Sequence, residues 1–135
     1  MVAEATGARC VDTHSLRRRL AQLLIQARHD PERTAVILRY EAQRPNGLTD
    51  LDVAESAPSA DVCARVDGAT WLLVADVAGM SEAIRLADAM RTNLGPAGAL
   101  AVHLAHPWRD ASELMSDVLN GAHVFPPRPR RPQER

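Results

Sequence analysis

The sequence predicts an α/β (α+β) fold: a mixed sheet with a βαββαβ core order, flanked by N- and C-terminal helices. Three observations predict it. Apolar and β-branched runs at residues 34–40, 62–66, 71–77 and 99–104 read as strands. Stretches with apolar residues at three- and four-residue steps lie between and outside them. Asp67-Gly68, a strong hairpin signal, joins the second strand to the third.

Each element has its own justification. In residues 13–29, Leu16, Leu20, Leu23, Leu24 and Ala27 recur on one helical face, with Thr13 as the expected cap. Asp30-Pro31 ends that helix, because a residue before proline avoids the helical region. Residues 34–40 (TAVILRY) read as a strand buried on both faces at its start. Arg44-Pro45-Asn46-Gly47 is turn chemistry. Residues 48–56 form a short helix with Leu48, Leu51 and Val53 inward, limited by Pro58. After the hairpin, Ser81 is expected to cap a helix to about Asn93, with Ile84, Ala87, Met90 and Leu94 on its inner face. Glu82 sits well for the dipole of its first turn. Gly95-Pro96 stops it. Residues 99–104 (ALAVHL) are the last strand, and Asp110 caps a final helix with Leu114, Val118 and Leu119 inward.

The 135 residues make one domain. Residues 1–11 read as a flexible lead-in, 12–125 as the folded body, and 126–135 (PPRPRRPQER) as a disordered Pro/Arg tail with nothing to bury.

Composition removes whole classes of function. Sixteen basic residues stand against 17 acidic ones, a formal charge of −1, so a surface built wholly for nucleic acid is not expected. All the basic residues are Arg, which excludes lysine-amine chemistry. Only Tyr40, Trp71, Trp108 and Phe125 are aromatic, too few for a base-stacking platform. The N-terminal stretch does not read as a signal peptide, and no apolar run reaches the roughly 20 residues of a membrane span. Cys10 and Cys63 lack metal or disulfide-framework spacing and read as two reduced thiols in a cytoplasmic protein.

Isolated candidates for chemistry have plain structural readings. His103 and His106 would need ligands from elsewhere to hold a metal, and His14, His29 and His123 have no visible partner. No serine lies in G-x-S-x-G, and no phosphate-binding Gly-rich loop occurs. Arg17-Arg18-Arg19 reads as the solvated side of a helix. Trp108, after Pro107, would serve as a partner anchor if exposed.

The element order and several residues together resemble the GGDEF domain, the diguanylate cyclase fold, over roughly residues 12–125. The signature hairpin of that family falls on Arg65, Asp67, Gly68, Ala69, Thr70 and Trp71. Arg65, Gly68 and Trp71 stand where the family has its Arg, second Gly and Phe. The opening Asp12 with SLRRRLAQLL, the helix SEAIRLADAMRTNLG and the closing ALAVHLAHPW and DASELMSDVLNGAHVF are similar to the family's corresponding elements.

The departures carry the functional expectation. Asp67 replaces the first Gly, and Ala69 and Thr70 replace the two acidic residues of the signature. Arg39 falls where the family has a metal-binding Asp, and only Glu41 remains nearby. The segment corresponding to the family's substrate-binding one is shortened to RPNGLTDLDVAESAPSA. Of the product-inhibition motif Arg-x-x-Asp, Asp61 remains and Pro58 replaces the Arg. Phosphoryl transfer rests on positioning and metal charge. The resemblance therefore implies a degenerate member that is not an enzyme, with no catalytic, cofactor or metal residue. It would act as a regulatory or protein-interaction module in signalling, through a homodimer or another protein. Membranes and specific nucleic acids are not expected partners, nor is a tightly bound cyclic dinucleotide. Two alternatives stand beside it: a domain that senses a (cyclic) nucleotide without turnover, and a small nucleotidyl-transfer enzyme with Glu41 and Asp67 as residual acids.

Overall fold

The computed structural model describes residues 8–43, 47–95 and 98–120. The expected tail at 126–135, with His123, Phe125, Pro96 and the turn residues Arg44, Pro45 and Asn46, lies outside them. The elements in chain order are β1 (Arg9–Cys10), α1 (Thr13–His29), β2 (Thr34–Ala42), α2 (Asp50–Glu55), β3 (Val62–Arg65), β4 (Thr70–Val77), α3 (Met80–Leu94), β5 (Gly98–Ala105) and α4 (Ala111–Leu119). From β2 to β5 this is the expected βαββαβ core, with α1 and α4 as the flanking helices.

The sheet runs β1-β3-β4-β2-β5. β2 lies between β4 and β5 and is antiparallel to both, and β3 is antiparallel to β4. β1 adds to β3 in parallel, so the sheet is mixed. Helices cover both faces. Val36, Leu38, Tyr40, Trp71, Leu73 and Ala75 face α2 and α3. Ala35, Ile37, Leu72 and Val74 face α1 and α4. This two-sided burial explains why the central strands are continuously apolar instead of alternating. No described helix is long and apolar enough to cross a membrane.

Several local expectations are corrected. Residues 9–10 belong to the sheet, not to a flexible lead-in: the Arg9 amide donates to the Asp61 carbonyl and the Val11 amide to that of Cys63. Asp12, not Thr13, caps α1, because its carboxylate accepts the Ser15 amide at 2.7 Å. α2 begins with a reciprocal box between Thr49 and Asp52, which turns Val53 and Ala54 inward and leaves Leu51 58% exposed. α3 starts at Met80 behind Gly79, with no side-chain cap from Ser81. Glu82 instead accepts the Ala78 amide. The helix lies with Ala83, Leu86, Ala87 and Met90 on the sheet, which rotates Ile84 out to 49% exposure. In α4, Leu119 packs half-buried against the core as expected, and Met115, not expected there, is buried with it.

Candidate functional site: the β3–β4 hairpin and its neighbours

The hairpin turn is built by Asp67. Its Oδ1 accepts the amides of Ala69 at 2.9 Å and Thr70 at 3.0 Å, a side chain closing its own turn. These donors, with the Ala69 amide foremost, the Thr70 hydroxyl and the Arg39 charge, hold the Asp67 carboxyl below its usual range. The carboxylate is thereby spent on backbone geometry.

Arg39 and Glu41 stand on β2, opposite Leu72 and Thr70 of β4. Arg39 Nη2 lies 3.3 Å from Glu41 Oε1. Its Nε is buried without a hydrogen-bond acceptor among the described residues. The place compared with a metal-binding acid thus holds a guanidinium, and the adjacent carboxylate is paired with it. Thr70 is buried, and Ala69 supplies only a methyl group. Among the described residues, no three His, Cys, Asp or Glu side chains converge to hold a metal ion.

On the other face of the hairpin, Trp71 is completely buried. Its indole N–H donates to Asp50 Oδ1 at 3.0 Å. The Arg65 guanidinium covers the ring, 4.7 Å from its centroid, with Nε 3.5 Å from the same Asp50 oxygen. Tyr40 packs from β2, its ring centre 6.2 Å away. Arg65 and Trp71 are therefore brought together as a structural cluster that fastens the hairpin to the first turn of α2. Asp50, which completes it, escaped sequence reading. An acid at the start of a helix has an ordinary explanation in the helix dipole, so nothing marked it as an indole acceptor.

Asp61 lies apart from this cluster. Its carboxylate accepts Arg19 Nε at 2.9 Å and Nη2 at 2.7 Å, tying the start of β3 to α1. The triple-Arg run is thus divided: Arg19 is paired, Arg17 meets His14 Nδ1 at 2.7 Å, and Arg18 is exposed. Gly68 lies in the turn with open space around its Cα. β5 stops at Ala105, so His106 leaves the strand, and its Nδ1 accepts the Trp108 amide. Trp108 is 69% exposed and stacked under Arg28 at 4.7 Å.

No family model matches the sequence, and no curated protein matches it. Among solved structures, the chain is similar to a DGC (diguanylate cyclase) protein from Thermotoga maritima, known from its crystal structure. The likeness has a TM-score of 0.57 at 14% identity, and covers 88% of this chain and 96% of that one. At that identity the likeness establishes a shared fold.

Proposed function

We propose that this chain is a catalytically inactive GGDEF-like domain, acting in the cytoplasm as a regulatory or protein-interaction module in signalling. The fold shared with a DGC protein supports the GGDEF-like part of this reading. The observation that carries the inactivity is the Arg39–Glu41 pair beside the hairpin. Magnesium requires oxygen ligands, and a guanidinium beside a carboxylate both repels a cation and occupies the anion. Asp67, the nearby acid, is bound to the turn amides. Losing such ligands removes chemistry without removing the fold.

Arg39 also favours a second reading. Its Nε has no acceptor among the described residues while its side chain is 20% exposed, so a phosphate oxygen that reached the guanidinium would meet a cation with no metal between them. On this reading the chain holds a nucleotide or cyclic dinucleotide without turnover.

Calorimetric titration of the full chain with Mg²⁺-GTP, and separately with cyclic di-GMP, tests both. The interaction-module reading expects no saturable heat at micromolar ligand. A micromolar dissociation constant, roughly −8 kcal/mol, would overturn it in favour of the second reading. Loss of that heat in Arg39→Ala would place the ligand at Arg39.

A further inference from the structure

One edge of the sheet is β5, which bonds to β2 and to no further strand among the described residues. Its phase follows from one bond. The Ala42 amide donates to the Ala69 carbonyl, so the even-numbered residues of β2 bond to β4. The odd-numbered ones therefore bond to β5, opposite Ala99, Ala101, His103 and Ala105. The amides and carbonyls of Leu100, Val102 and Leu104 consequently point outward along the edge.

Nothing in the strand protects that edge. Its eight residues, GALAVHLA, contain no Asp, Glu, Lys, Arg or Pro, the usual defences of an edge strand. The opposite edge, β1, is two residues long and carries Arg9. Apolar side chains accompany the open edge. Leu104 is 42% exposed, on the same face as Leu100 and Val102, which pack against the core beneath α3. Met80 and Ile84, on the first turns of α3, are 45% and 49% exposed. α3 follows directly from the end of β4 that lies level with the Leu104 end of β5.

We propose that β5 pairs antiparallel with β5 of a second copy of this chain, continuing the sheet across a two-fold axis. The charge pattern fits this occupant. A strand paired with itself sets its own charges close to their copies; β5 has no carboxylate or guanidinium to repel, and its one titratable residue, His103, would stand opposite an alanine of the copy when Ala101 lies on the axis. With Ala101 on the axis, the outward groups remain in phase: Leu100 meets the partner's Val102, and Gly98 meets the partner's Leu104. Ala101 offers only a methyl group at the close approach on the axis. The pairing rests on one eight-residue strand, so the dimer is expected to be a weak one, in the micromolar range or above. This rests on the interaction-module reading and names its partner.

Sedimentation equilibrium of the full chain, from micromolar to submillimolar, tests it. The expected result is a reversible monomer–dimer equilibrium. Leu104→Lys should weaken it at least tenfold, since an exposed leucine becomes an edge lysine. Val102→Pro should do the same, because it removes an outward amide and no bond to β2. Both should keep the monomer's melting cooperative. A monomer at every concentration, or a dimer that neither change weakens, would overturn the proposal. So would slow hydrogen exchange at Leu100, Val102 and Leu104 in dilute monomer, since the chain itself would then cover the edge. Self-association and nucleotide binding are read separately, so an inert monomer rejects β5 pairing alone, and a nucleotide-binding dimer rejects the interaction-module reading alone.

Discussion

The Trp71 indole N–H donates to the Asp50 carboxylate at 3.0 Å, joining the second strand of the hairpin to the first residue of α2. Arg65 lies over the ring and reaches the same carboxylate, so three side chains of separate elements share one contact. Trp71→Ala should cost about 3–5 kcal/mol, the range for large-to-small changes in a core. Trp71→Phe keeps most of the apolar contact and loses the donor; because Asp50 remains half-exposed, its cost should be about 1 kcal/mol. Urea unfolding measures both. Fluorescence offers a second check: in Trp108→Phe the remaining indole should emit to the blue and resist iodide. Emission like that of free indole, with an unmoved Trp71→Ala midpoint, would contradict this burial.

Gly98 is required by Tyr40. A Cβ at residue 98 would lie on the tyrosine ring, 2.6 Å from its Cε1. Gly98→Ala should therefore destabilise by about 1–3 kcal/mol, as overpacking does. Gly68→Ala, with open space around it, should cost less. Equal thermal shifts for the two variants would contradict the assigned packing.

Acid should loosen the hairpin. The folded Asp67 carboxyl is held below its ordinary 3.8, first by the Ala69 amide. A depressed carboxyl contributes stability that is fully present above 3.8 and is lost as the pH falls through its folded value. Asp67→Asn retains an oxygen acceptor and loses the titration. The difference in urea midpoint between pH 7 and pH 3 should then be smaller in the variant than in the parent chain. An unchanged difference would remove Asp67 from the acid response.

The two cysteines stand opposite each other in the β1–β3 register, yet differ in access. Burial, followed by the neighbouring Cys10 and Asp50, pushes the Cys63 thiol up to about 12. Cys10 is exposed, with a smaller upward shift from the same kinds of cause. A thiol-specific disulfide reagent at pH 8 should titrate one group in the folded chain and two in denaturant. Two equally fast groups in the folded chain would contradict the burial of Cys63.

Much of the architecture was legible because it rests on periodicity. Leu16, Leu20, Leu23, Leu24 and Ala27 are all buried on α1, and Asp67-Gly68 marks the turn where it was expected. The misses share a cause: competition between near neighbours that only packing resolves. Asp12 and Thr13 are both good caps, and the direction of the chain at residue 12 decided between them. Ile84 and Leu86 are both apolar, and the tilt of α3 on the sheet chose Leu86. β1 was invisible because two residues hold no pattern; its reason is the set of β3 carbonyls beside it. At the site, Arg65 and Trp71 were marked by position, but Asp50 and Arg19 act over 21 and 42 residues of sequence, which no local pattern encodes.

We propose that Arg39, paired with Glu41, and an Asp67 bound to its turn leave no apparatus for nucleotidyl transfer. The most direct measurement is chromatography of the full chain after prolonged incubation with GTP and Mg²⁺ or Mn²⁺. GTP should be recovered intact, with no cyclic dinucleotide above a boiled control. Product that accumulates in proportion to the concentration of the chain, and disappears in Glu41→Gln, would contradict it and make Glu41 a catalytic acid.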